Sequence, residues 1–157
     1  HRRQGTGEAV IEHYELFVDN HENRVLRSGG PTSVRIFYDA SVSIPDPCFV
    51  LRYTSPDGRV IAETSTDEHA LSLGPIFGKG SLEYQIPELR LVPGTYDLTA
   101  SLTDRTGEKL FDRRDREIRF DVGQGALPDR NGLLSMGGRW KLLAKDAEGP
   151  IERTSAP

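Results

Sequence analysis

The chain has 157 residues, of which 36% are hydrophobic and 28% charged, which suits one soluble globular domain with its own core and excludes wholesale disorder. A formal net charge of −4 gives no electrostatic attraction for nucleic acid or an anionic membrane. The single cysteine, Cys48, excludes an intramolecular disulfide, fits a reducing compartment and reads as a small buried apolar residue.

The chain opens His1-Arg2-Arg3-Gln4-Gly5, without an initiator Met or an apolar leader. Residues 1–7 therefore read as a linker remnant at the start of a fragment of a larger protein. Apolar residues then alternate. Val10, Tyr14, Leu16 and Val18 fall on one parity, and Asp19 to Asn23 form a polar loop before a short piece at Val25 and Leu26. After Pro31 come Val34, Ile36, Tyr38 and Ala40, then Cys48 to Thr54 and Arg59 to Thr64. Thr66 to Leu73 has room for one helical turn. Leu82, Tyr84 and Ile86 follow, then Tyr96 to Leu102, and then Ile118, Phe120 and Val122. Period-two patterning predicts half-buried strands. Turns are expected at Asp57-Gly58, Pro93-Gly94, Asp104 to Gly107 and Asp129 to Gly132. The fold class is all-β: an antiparallel β-sandwich of about seven to nine strands over residues 8–146, with a flexible tail over 147–157.

Two strands depart from clean alternation. Phe37 lies on an otherwise polar face beside Ser33 and Arg35. The strand from Cys48 is apolar on both parities, so a crossing loop, a second subunit or a ligand covers its second face.

Catalytic and metal motifs are missing. Gly74-Pro75-Ile76-Phe77-Gly78-Lys79-Gly80 has three residues between its first two glycines and no Ser or Thr after Lys79, so it fails as a phosphate loop. His1, His13, His21 and His69 lack ligand spacing, and His13 reads as a solvated surface residue. No nucleophile elbow or marked carboxylate pair appears. No enzyme activity, cofactor or metal is expected. The mixed-charge run Asp112 to Glu117 reads as a solvated hairpin end or a protected edge strand.

Several landmarks occur in order: Ser28-Gly29-Gly30-Pro31; Cys48 to Tyr53 leading to Asp57-Gly58; Ile86 to Leu91 with Val92-Pro93-Gly94-Thr95-Tyr96; Phe120-Asp121-Val122; and Gly132-Leu133-Leu134 before Trp140. Together they resemble the C-terminal carbohydrate-binding domain of Wzt-type ATPase subunits. Those subunits serve ABC transporters that export O-antigen and related polysaccharides. The resemblance implies an immunoglobulin-like fold and a homodimer. It also implies an upstream ATPase domain, permease partners, and a cytoplasmic location at the inner face of the membrane. The implied ligand is the non-reducing end of a lipid-linked glycan, either plain or chemically marked. The alternative is a protein-interaction or dimerisation module without a glycan.

Sugar sites combine an aromatic platform with planar hydrogen-bonding side chains. On that chemistry the candidates are Arg35, Phe37 and Asp39 on the second long strand, with Arg52, Tyr53 and Glu63 on the next two. Asp67, His69 and Phe77 would close over them from a loop. Trp140 is either a stacking platform for a sugar ring or a core or interface residue.

Overall fold

A computed structural model describes residues 3–145. Nine strands form: β1 (Ala9–Val18), β2 (His21–Glu22), β3 (Val25–Arg27), β4 (Thr32–Ile44), β5 (Pro47–Thr54), β6 (Val60–Ser65), β7 (Ile76–Ile86), β8 (Gly94–Asp104) and β9 (Leu110–Gly123). They make two stacked sheets: a front sheet in the order β2-β1-β4-β7 and a back sheet in the order β3-β9-β8-β5-β6. All pairings are antiparallel except β3 on β9. The architecture is the all-β sandwich expected from the alternation. No helix among the described residues is long and apolar enough to cross a membrane.

The pleat explains the core. Ile11, Tyr14, Leu16, Val34 and Ile36 point inward from the front sheet and meet Phe49, Leu51, Leu98, Leu102 and Phe120 from the back. The expected parity in β1 needs one correction. A bulge between Ile11 and His13 inserts a residue, so Ala9 and Ile11 are buried with Tyr14 and Leu16, and Val10 is not. Thr66 to Ala70 form turns rather than a helical turn.

Two sequence landmarks meet at one end of the sandwich. Ser28 donates its hydroxyl proton to the Leu91 carbonyl at 2.8 Å, and the Leu89 N–H donates to the Gly30 carbonyl at 2.9 Å. Beside them the Tyr96 hydroxyl donates to the Val92 carbonyl at 2.6 Å. This is a tyrosine corner, and it ties the start of β8 to the loop before it. Gly94 keeps the corner closed, since a Cβ there would sit 3.3 Å from the Tyr96 hydroxyl.

The charged run of β9 is not a solvated hairpin end; β3 pairs only with Asp121–Gly123, so the run lies at an edge of the back sheet that Gln4 protects by bridging Arg113. The short β2 leaves β1 bare along residues 9–14, and β9 covers that edge with polar groups. Buried Asp112 accepts the Ile11 N–H at 2.7 Å and pairs with Arg3. Arg114 donates to the carbonyls of Ile11 and Glu12. The N–H and C=O groups freed by the bulge thus find partners. Residues 4–7 also dock on β9, with Gln4 bridged to Arg113 and the Gly7 N–H bonded to the Phe111 carbonyl. At the other end of the chain, Leu134 bridges Leu91, and no strand follows within the described residues. The tail expected over 147–157, like His1 and Arg2, lies outside the described residues.

Candidate functional site

The outer face of the front sheet carries a set of polar and aromatic groups that could recognise a polar ligand. Its layout follows from strand register. Arg35, Phe37 and Asp39 of β4 point outward between inward Val34, Ile36 and Ala40. Opposite them on β7 stand Glu83, Ser81 and Lys79; on the β1 side stand Glu15, His13 and Val10. The face is therefore three rungs deep.

The middle rung is aromatic. The His13 and Phe37 rings stack with centroids 5.9 Å apart and planes 28° from parallel. Small Ser81 stands on the other side of Phe37, and Phe77 is 72% exposed farther along β7. The β1 bulge creates this rung, because it turns both Glu12 and His13 outward.

The upper rung is fixed polar chemistry. Arg35 Nε donates to Glu83 Oε2 at 2.8 Å and its Nη2 donates to Asn20 Oδ1 at 2.6 Å. The same guanidinium lies 4.2 Å over the Phe17 ring, which explains why outward Phe17 is only 8% exposed. Asn20 is delivered by a two-residue turn in which Asp19 and Asn20 both have positive φ, 52° and 65°. Hydrogen bonds from Arg35 and then Gln85 hold the Glu83 carboxyl below the usual carboxylate range. Phe17, Asn20, Ser33, Arg35, Glu83 and Gln85 border a shallow hollow of about 380 Å³. On the lower rung, Lys79 donates to Glu12 at 2.9 Å and lies 3.6 Å from Asp39. The hydrogen bond to Glu12 raises the Lys79 pKa.

The other sequence candidates are dispersed. Arg52 and Glu63 pair at 2.8 Å on the outer face of the back sheet. Tyr53 follows Arg52 directly, so the pleat turns it inward, where it is 6% exposed and packs edge-on to Phe120. Tyr53 is therefore a core residue and withdraws from any surface site. Asp67 pairs with Arg105 at 3.0 Å in the loop after β6. His69 bonds Thr64 Oγ1 at 3.0 Å and packs edge-on to Tyr84. Trp140 is fully exposed in the irregular segment after the sandwich, which removes the core reading.

His69 borders a second hollow, an apolar crevice of about 280 Å³ between β6 and β7 lined by Ile36, Phe49, Leu51, Leu82 and Tyr84. Thr64, Ser65, Thr66, His69 and Glu83 also border this crevice, but its exposed lining is mainly apolar, and a saccharide carries hydroxyls on all sides. The front face offers carboxylates, hydroxyls, an amide and a stacked aromatic pair together. No group of three or more His, Cys, Asp or Glu able to hold a metal occurs among the described residues.

Glu83, Glu12, Lys79, Asn20, Ser81 and His13 join this face without being among the sugar-site candidates that the sequence marks. Alternation around Leu82, Tyr84 and Ile86 placed Glu83 on the outward parity, but nothing local said that β7 would lie beside β4. The β1 bulge has no signature that alternation detects.

A family model described as the Wzt C-terminal domain matches residues 1–136. A comparison with curated protein sequences gives no match. Among solved structures, one titled as the crystal structure of the C-terminal domain of Wzt superposes with a TM-score of 0.78. It covers 89% of this chain and 87% of that one at 16% sequence identity, so the likeness is one of fold.

Proposed function

Because the chain belongs to the Wzt C-terminal domain family, we propose that it is a non-catalytic carbohydrate-binding domain. Its ligand is the non-reducing end, plain or modified, of a lipid-linked polysaccharide destined for ABC-transporter export. Binding takes place on the outer face of the front sheet, at Arg35, Phe37, Asp39 and their neighbours.

One observation carries this reading: a stacked aromatic pair, His13 on Phe37, framed by polar groups held in fixed orientations. A sugar ring presents C–H groups on one face and hydroxyls around its rim. An aromatic plate takes the first and planar acceptors take the second. Because Arg35 is held by Glu83, Asn20 and Phe17, little side-chain freedom remains to be lost on binding.

In the family setting, an ATPase domain precedes this domain in the full-length protein. Permease subunits complete the transporter, and the domain works at the cytoplasmic face of the membrane. A homodimer is supported by a separate feature. Met136, Trp140, Leu142 and Leu143 are 85%, 103%, 74% and 85% exposed in one short segment, an apolar surface suited to a protein partner.

Calorimetric titration with the polysaccharide exported by the source cell tests the glycan reading. The 157-residue chain should bind it, and Phe37→Ala should weaken binding about tenfold. Failure of the unaltered chain to bind that polysaccharide overturns the reading.

A further inference from the structure

The charge arrangement on the front face narrows the class of glycan, taking the glycan reading of that face as given. The exposed carboxylates are Glu12, Asp19, Glu22, Asp39 and Glu83. The cations among them are Arg35 and Lys79, with His13 as a titratable third. Each of these already has a carboxylate partner. Arg35 is on Glu83, Lys79 is on Glu12 and near Asp39, and His13 is 3.3 Å from Glu22. A fourth cation near the edge of the face, Arg24, is committed by three hydrogen bonds to buried Glu15.

Recognition of a phosphate or a uronate calls for a guanidinium or ammonium with donors aimed at the incoming anion. Arg35 instead has Nε on Glu83, Nη2 on Asn20 and its flat surface on Phe17. An anion reaching Nη1 of Arg35 would lie beside the Glu83 carboxylate already paired with that guanidinium, and would meet the negative charge of Asp39, Asp19 and Glu22. What the face does offer is acceptors: the second lone pairs of carboxylate oxygens that already take one bond each from Arg35, Gln85 or Lys79, the Ser33 and Ser81 hydroxyls, and the Gln85 carbonyl. These suit hydroxyl donors.

We propose that the front face selects uncharged glycan chains and discriminates against ends bearing phosphate or uronic acid. Recognition is by sugar hydroxyls donating to fixed carboxylates over the His13–Phe37 plate, and ion pairing with the ligand plays no part.

The test is an oligosaccharide array probed with the 157-residue chain. It holds neutral hexose and deoxyhexose oligosaccharides, the same series with a terminal phosphate, the same series with a terminal uronic acid, and fragments of the polysaccharide the source cell exports. The neutral series should bind at least about tenfold more tightly than its acidic counterparts. Affinity for neutral members should change less than about twofold between low and physiological salt. The double variant Asp39→Asn/Glu22→Gln, on the outer face at a half-exposed and an exposed position, should narrow the gap to the acidic series about fivefold or more. Acidic members binding as tightly as neutral ones, with affinity that falls steeply as salt rises, would overturn the charge inference and leave the glycan reading intact. A gap unchanged in the double variant would also overturn it. Absence of binding to every member, the native fragments included, would overturn the glycan reading and this inference with it.

Discussion

Gly80 of β7 faces Tyr38 of β4 across the inside of the front sheet so closely that a Cβ on Gly80 would overlap the Tyr38 ring and hydroxyl. The glycine-rich stretch that mimics a phosphate loop is thus an edge strand thinned to admit a tyrosine. Alanine is ordinarily the better strand residue, but here the overlap decides the sign. Gly80→Ala should destabilise the domain by about 1–3 kcal/mol in urea unfolding. Adding Tyr38→Phe should restore little, because ring carbons overlap as well as the hydroxyl; adding Tyr38→Leu should restore more.

The tyrosine corner supports the end of the sandwich where Ser28 meets Leu91. Tyr96 is 2% exposed, so removing its hydroxyl orphans the Val92 carbonyl in a buried place. Tyr96→Phe should cost about 1–2 kcal/mol in denaturant unfolding with the m-value unchanged. It should leave glycan binding intact, since the corner lies away from the front face.

On the back sheet, Asp97 is 2% exposed and is gripped by Arg119 at 2.8 Å and Arg116 at 2.6 Å. Burial alone would raise its pKa, but the hydrogen bonds and charges of Arg119 and Arg116 outweigh it, and the carboxyl titrates below the usual range. The folded pKa is therefore lower than the unfolded one. The stability from this cluster is complete above the unfolded value of about 4 and is lost as pH falls through the folded pKa. Asp97→Asn should lower stability by about 1–3 kcal/mol at neutral pH. It should also flatten the fall in stability on acidification, as followed by thermal melts from pH 7 to pH 3.

Arg35 makes contacts of three kinds at once, and lysine can reproduce only its charge. Arg35→Lys should weaken polysaccharide binding about fivefold in calorimetry while the melting temperature stays nearly constant. A loss of stability matching the loss of affinity would mean that Arg35 serves the fold instead.

The sandwich was legible because its inner strands repeat a strict two-residue period. Tyr96, Leu98, Ala100 and Leu102 are all buried, as are Ile118, Phe120 and Val122. Alternation failed where the backbone departs from the pleat. The bulge at Ile11–His13 flips the parity of Val10, and the wider bulge of β9 places Arg116 at a positive φ of 54° within the run read as a hairpin end or edge. The site was legible only along one strand. Arg35, Phe37 and Asp39 share a face because they are two residues apart, whereas Arg52 and Tyr53 are adjacent and must point apart. Which residues of other strands join them depends on which strands are neighbours, and a local pattern does not encode that.

The most direct test of the proposed glycan-binding face is backbone amide chemical-shift mapping of the 157-residue chain during titration with fragments of the polysaccharide the source cell exports. The perturbed amides should cluster at His13, Arg35, Phe37, Lys79, Ser81 and Glu83. Perturbations centred instead on Arg52 and Glu63 of the back sheet, or on the crevice beside His69, would contradict the assignment of the front face.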